Sequence, residues 1–216
     1  MLSPDRFRTV KAYGETEIII QKSRFITYVE RVDTEEEASR FIQGIAKKHW
    51  DATHNCYGYI VYDPSEIQRS SDDGEPAGTA GRPILEVIKN RQLRNTAIVV
   101  TRYFGGVKLG AAGLIRAYSQ GASAGLDAAG EVDWVLHRQV HILVDYPTMG
   151  KVEHQLRQTG YEMDSPVFTD RVQWSVWVPA GREAPVQDMV AELTSGQGMI
   201  TLGELDYRPR NGNGVE

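Results

Sequence analysis

The stretch Thr96–Leu126, TAIVVTRYFGGVKLGAAGLIRAYSQGASAGL, decides the fold of this chain. Ala97 to Val100 is a continuous apolar run rich in β-branched residues, the pattern of a strand buried on both faces. Thr101, Arg102, Tyr103 and Phe104 continue it, and Gly105-Gly106 ends it. Gly110, Ala111, Ala112 and Gly113 then open a small-residue helix. Leu114, Ile115, Tyr118, Ala122 and Leu126 recur at helical spacing and are expected to form its buried face. A strand, a glycine turn and a helix N-terminus present free backbone N–H groups, which suits an anion. The spacing excludes two familiar phosphate loops. No Gly-Lys-Ser/Thr closes the turn as in a P-loop, and Lys108 stands where a dinucleotide fingerprint needs its second glycine. A tight turn with close helix–strand packing explains the same glycines without a ligand.

Upstream, the segments around Glu17–Lys22 and Phe25–Val32 read as strands joined by a polar turn at Lys22-Ser23-Arg24. Asp33-Thr34-Glu35-Glu36 resembles a capping box, and Ala38, Phe41, Ile42 and Ile45 give the helix that follows an apolar face to about Lys48. His49-Trp50-Asp51 leaves that helix. Asn55–Tyr62 is a third strand, Asp63-Pro64-Ser65 turns it, and Ile67–Arg69 returns. The segment SSDDGEPAGTAG, residues 70–81, is too rich in glycine and proline for regular structure, and Pro83 suits the first turn of a new helix with Ile84, Leu85 and Ile88 facing the core.

Downstream, residues 130–138 read as an irregular or extended joint that holds Trp134. Val140–Val144 is a strand and Met149–Gln158 a helix with an apolar stripe at Val152 and Leu156. Tyr161–Phe168 and Val172–Val178 form a hairpin turned at Thr169-Asp170. Pro185–Leu193 is a helix, Met199–Tyr207 is the last strand, and the tail from Arg208 is expected to fray. That order is β-α-β-β-α-β, the ferredoxin-like split unit. The fold class is therefore α+β, with a first domain over residues 1–132 and a ferredoxin-like domain over 139–208.

The 216 residues carry 41% hydrophobic and 25% charged side chains, ordinary for a globular chain that can bury a sizeable core. One cysteine, Cys56, excludes an internal disulfide framework and fits a reducing cytoplasm. The N-terminus lacks the apolar region of a signal peptide, and no run approaches a membrane span. Net charge is −5, but it is unevenly placed. Residues 139–216 hold 6 basic and 11 acidic side chains, whereas the remainder holds 18 of each. Within residues 80–120, Arg82, Lys89, Arg91, Arg94, Arg102, Lys108 and Arg116 are opposed by Glu86 alone. Just upstream, Asp63, Glu66, Asp72, Asp73 and Glu75 face Arg69. The two segments either pair with each other or line a mixed-charge cleft.

Four stretches, KSRF at 22–25, ATHNC at 52–56, SDDGEPAGTAGRP at 71–83 and VTRYFGGVKLGAAGLIRAY at 100–118, resemble the YigZ/Impact family. The resemblance covers essentially the whole chain. It implies a first domain similar to a ribosomal-protein fold shared with a domain of elongation factor G, and a second domain similar to another elongation factor G domain. It also implies RNA or ribosome association and a part in translation regulation, and no established enzymatic reaction. The extension through which the eukaryotic member meets its partner has no counterpart in this sequence, so that interaction is not carried over.

Arg102, Lys108 and Arg116 are long cations beside a glycine turn, Gly105-Gly106, and can reach phosphate, while Tyr103 or Phe104 offers a ring for a base. Their alternative is pairing with the acidic loop. Asp72, Asp73 and Glu75 offer carboxylates for Mg²⁺, the alternative being plain turn chemistry with no cofactor at all. Thr79 belongs to the same loop. His54 is either a general base or a hydrogen-bonded packing residue, and Cys56 reads as a small core residue. Two functions follow: a binding protein whose first domain contacts RNA or the ribosome while its acidic second domain meets a protein, or an enzyme acting on a phosphorylated or nucleotide substrate through a metal held by Asp72, Asp73 and Glu75. Asp72, Asp73, Glu75, Arg102, Tyr103 and Lys108 are expected to converge on one solvent-facing cleft.

Overall fold

The computed structural model describes residues 5–63 and 65–210. Pro64, read above as part of a turn, and residues 211–216 of the tail lie outside the described residues. The chain divides into two compact units, Phe7–Val132 and a second made of residues 133–210 together with Asp5 and Arg6.

The first unit contains most of β1 (Arg6–Val10), then β2 (Gly14–Ile20), β3 (Ser23–Arg31), α1 (Glu35–Lys48), β4 (His54–Tyr62), β5 (Glu66–Ser71), α2 (Gly81–Asn90), β6 (Thr96–Tyr103) and α3 (Gly110–Ala129). Its sheet is antiparallel with the order β2-β3-β6-β4-β5. The central apolar run of β6 is buried along almost its whole length, because helices cover both faces of the sheet. Ile98 and Val100 join Phe25, Val29, Ile84, Ile88, Leu114, Tyr118 and Leu126 in the main core under α2 and α3. Ala97 and Val99 alternate to the other face, where with Tyr28 they pack against Ala38 and Ile45 of α1. Glycines in α3 permit this close approach: a Cβ at Gly125 would collide with Thr27 on β3. Ile115, expected on the buried face of α3, is instead 42% exposed. The stripe passes through its neighbour Leu114, and one residue of rotation, about 100°, turns Ile115 outward.

The expected helix start of α1 forms, with Thr34 as its cap and Glu37, one residue beyond the stretch read as the box, as the acidic partner. The Thr34 hydroxyl accepts the Glu37 N–H at 3.1 Å, and the Glu37 carboxylate accepts the Asp33 N–H at 2.8 Å. The polar turn between β2 and β3 is two residues, Gln21 and Lys22, both at positive φ, as a tight hairpin requires.

The second unit takes most of β7 (Glu131–Val144), then α4 (Tyr146–Gln158), β8 (Glu162–Met163), β9 (Val167–Phe168), β10 (Val172–Pro179), α5 (Ala184–Leu193) and β11 (Met199–Pro209). The strands run β11-β7-β10, with β8 and β9 both on the outer edge of β10, which is the ferredoxin-like order. Val140, Ile142, Val144, Trp174, Val176 and Val178 meet Val152, Leu156, Val186 and Val190 in its core.

The sequence reading had no strand where β1 lies, it put the β2–β3 turn at Lys22-Ser23-Arg24 and the loop start at Ser70, and three further differences lie downstream. The expected joint over 130–138 is the first part of the long strand β7, whose residues Trp134–Arg138 pair with β11. Extended side chains there gain a ladder partner from far along the chain, which no local signal announces. The expected strand Tyr161–Phe168 is split into β8 and β9, and Pro166, between them, has no N–H to donate to β10. Arg208 does not fray: it lies within β11, donates to Glu162 Oε1 at 2.6 Å and stacks its guanidinium 3.9 Å from the Trp177 ring centre. Among the described residues no helix is long and apolar enough to cross a membrane.

Candidate functional site

Antiparallel pairing brings five loop-bearing strand ends to one end of the first unit's sheet: Ile20, Ser23, His54, Ser71 and Tyr103. The β2–β3 turn, the α1–β4 turn, the β5–α2 loop and the β6–α3 loop all gather there. The period-2 alternation of β6 then separates residues adjacent in sequence.

Arg102 points to the α3 side and is buried. Its Nη1 donates to Glu75 Oε1 at 2.6 Å, with both side chains at most 6% exposed. The Tyr118 hydroxyl donates to the same oxygen at 2.8 Å. The guanidinium lies between the rings of Phe25 and Phe104, 5.4 and 5.5 Å from their centres. Ser23 Oγ sits 3.4 Å from Arg102 Nη2 and accepts the Gly105 N–H at 3.2 Å. The pair therefore ties the acidic loop to the glycine turn inside the protein, and Arg102 is withdrawn from solvent and from any phosphate there. Burial first, and then contact with Cys56 and Glu75, pushes the Tyr118 hydroxyl far up.

Asp72 is committed to the loop itself. Its carboxylate accepts the N–H groups of Gly78, Ala80 and Gly81 at 2.8–2.9 Å, which caps α2 from a distance in sequence. Burial acts to raise this carboxyl, but the three backbone bonds outweigh it and hold it below the usual carboxylate value. Asp73 Oδ2 accepts the Asn55 N–H at 2.6 Å. Thr79 is buried and donates to the Pro76 carbonyl at 2.7 Å. His54 Nδ1 lies 2.6 Å from the Asp73 carbonyl, so that nitrogen carries the proton, and Nε2 faces Glu75 Oε2 at 3.9 Å. Cys56 Sγ lies 3.0 Å from the Asp72 carbonyl, and burial pushes its thiol up to about 12, which leaves it protonated and unreactive near neutral pH. Among the described residues no three His, Cys, Asp or Glu side chains are arranged to hold a metal ion. Each of the three loop carboxylates is already engaged by the protein itself.

Tyr103 points to the α1 side. Its hydroxyl donates to Asp51 at 3.1 Å and lies 2.8 Å from His49 Nδ1, while His49 Nε2 lies 2.6 Å from the Tyr28 hydroxyl. Because the Asp51 carboxylate only accepts, the network assigns Nδ1–H as donor to Tyr103 and Nε2 as acceptor from Tyr28. Burial and then the Lys48 ammonium lower the His49 pKa. The expected single cleft is thus two environments on opposite faces of the sheet, one buried around Glu75 and one around His49.

The loop beyond Tyr103 is exposed. Phe104 is 47% exposed, its N–H donated to Thr53 Oγ1 at 3.0 Å. Gly105 packs on the β2–β3 turn so closely that an added Cβ would strike the Lys22 carbonyl. Gly106 and Gly110 sit at positive φ and frame Val107 and Lys108 in solvent. Arg116 is exposed on α3 with its Nε donating to the Ala112 carbonyl. Among the described residues, Lys22, Arg82 and Lys108 at this end have no ion-pair partner. Trp50, in the turn before β4, is 84% exposed. Sequence reading passed over Trp50, Lys22 and Arg82 as site residues. A tryptophan that falls off the apolar stripe of α1, within a polar turn, was the available signal.

The first unit is thus an antiparallel sheet with helices on both faces and an exposed loop end, and the second is a ferredoxin-like unit. The model of the Impact N-terminal domain matches residues 21–126, and that of a Domain of unknown function (DUF1949) matches residues 142–197. "IMPACT family member YvyE" of Bacillus subtilis is 46% identical over 208 residues, 96% of each chain. "IMPACT family member YigZ" of Escherichia coli is 31% identical over 179 residues, covering 82% of this chain and 88% of that protein. "Protein IMPACT" of Danio rerio is 34% identical over 103 residues, 45% of this chain and 32% of that protein. A solved structure described as "Crystal structure of an hypothetical protein" aligns with a TM-score of 0.60 at 28% identity, over 94% of this chain and 99% of that one. The chain belongs to the IMPACT family.

Proposed function

We propose that this protein binds RNA or the ribosome in the cytoplasm and takes part in the regulation of translation, using the loop end of the first unit's sheet as its RNA contact. The observation that carries this reading is the gathering of unpaired, exposed Lys22, Arg82 and Lys108 at the same sheet end as exposed Phe104 and Trp50. Cations without internal partners are available to phosphates, and rings beside them are available to bases. Arg102, with Glu75 and Asp72, holds the loops that present these groups. The acidic balance of residues 139–216 repels a polyanion, so the second unit is assigned a protein partner or control of access.

The test is binding of total RNA to the full chain across a salt series, compared with K22A/R82A/K108A. Each phosphate contact contributes about 0.7 to the salt slope for single strands, so the triple variant is expected to lower the slope by about two units. A triple variant with the full slope would remove this sheet end as the contact.

A further inference from the structure

Trp50 and Phe104 share a feature that phosphate binding does not use. Both rings are exposed on backbone that is held firmly. The Trp50 turn is fixed by Ala52 N–H to His49 O at 3.1 Å, Thr53 N–H to Arg102 O at 2.9 Å, Asn55 Nδ2 to His49 O at 3.2 Å and Asp51 to Tyr103. Phe104 is held by its N–H on Thr53 and by the guanidinium of Arg102 beside its ring. Thr53 joins the two segments, its N–H donating to Arg102 O and its hydroxyl accepting the Phe104 N–H, so both rings emerge from the same end of the sheet. Exposing most of a tryptophan forfeits its burial, and nothing in its surroundings compensates.

We infer that the RNA taken at this sheet end is single-stranded, with Trp50 and Phe104 as platforms on which unpaired bases stack. The inference rests on the RNA reading above and names the form of the nucleic acid. In a duplex the base faces are already covered by neighbouring bases, so a protruding ring finds only edges and backbone. Unpaired bases offer open faces, and stacking of this kind tolerates every base. The charges around the rings agree with that division of labour. Asp51 and Asp73 lie in the turns beside Trp50 and His54, Glu17 pairs with Arg24, and Glu75 and Asp72 are engaged internally. The carboxylate next to Trp50 disfavours a phosphate there and leaves that position to a base, while Lys22, Arg82 and Lys108 follow the backbone.

Trp50 also provides the readout, being the one tryptophan of residues 7–132 beside Trp134, Trp174 and Trp177 in the second unit. The full chain is titrated with oligouridylate and oligoadenylate of about ten nucleotides, a length within the usual site size of a single-strand binder, and with a duplex of equal length. Single strands are expected to bind roughly tenfold or more tightly than duplex and to quench the parent's fluorescence but not that of W50A. W50A and F104L are each expected to weaken single-strand binding about tenfold with the salt slope unchanged, and W50F to retain most of the affinity. Equal binding of duplex, or W50A and F104L within twofold of the parent, overturns the single-strand assignment while the slope of K22A/R82A/K108A still reports on the RNA reading. If neither form binds at low salt, both readings fall and the rings belong to a protein interface.

Discussion

Glu75→Gln tests the centre of the first unit. The Glu75–Arg102 pair is 2.6 Å long, its side chains are 4% and 6% exposed, and Tyr118 donates to the same carboxylate oxygen. Removing the negative charge leaves the Arg102 cation buried against two rings and a distant serine hydroxyl. Breaking a buried pair in this way costs about 3–5 kcal/mol, a large fraction of the roughly 10 kcal/mol that holds a domain of this size. R102M should cost a similar amount, since Glu75 then keeps only Tyr118 and a long approach to His54. The double variant E75Q/R102M removes both charges together, so its cost should fall short of the sum of the singles by about 3 kcal/mol or more. The assay is equilibrium urea unfolding of the full chain by far-ultraviolet circular dichroism, with hydrogen exchange in β6 and α3 peptides assigning the transition to the first unit. An E75Q variant within about 1 kcal/mol of the parent, or an additive cycle, would refute the account of the pair as a buried tie.

Three further outcomes are expected. D72A removes the acceptor of three backbone N–H groups and should cost about 2–3 kcal/mol by the same unfolding assay. Because the folded value of that carboxyl is depressed, its contribution is complete above an unfolded value of about 4 and fades as pH falls through the folded one, so parent and variant converge in acid. His49, also depressed, contributes fully above about 6.5 and progressively less as pH falls toward its lower folded value, so urea midpoints of the parent should drop between about pH 7.5 and 5.5 more steeply than those of H49N. G105A should cost about 3 kcal/mol, measured as a shift of the urea midpoint, because its Cβ meets the Lys22 backbone, which cannot swing aside.

Where a residue's role is set by its near neighbours, the sequence alone was informative. The β-branched run before Gly105 marked an inner strand, the spacing of Leu114, Tyr118, Ala122 and Leu126 marked one buried helix face, and Asp33-Thr34-Glu35-Glu36 marked a helix start whose cap is Thr34. The β-α-β-β-α-β order of the second unit was legible for the same reason, since periodicity is a local property. Partnership across the chain was not legible. Arg102 read equally as a phosphate-facing cation or as a partner of the acidic loop, and only the assembled sheet settles on Glu75, 27 residues earlier, meeting it in the interior at 2.6 Å. Asp72 and Asp73 read either as metal ligands or as turn residues, because an acidic pair in a loop looks the same whether its oxygens face solvent or backbone N–H groups. Tyr103 and Arg102, adjacent in sequence, were separated by the pleat, and the joint over 130–138 became strand because β11 arrives to pair with it. The exposure of Trp50 is a tertiary outcome of the same kind: the turn that carries it is bonded to β6 and Tyr103, contacts that only the assembled sheet supplies, and those bonds hold the backbone while leaving the ring in solvent.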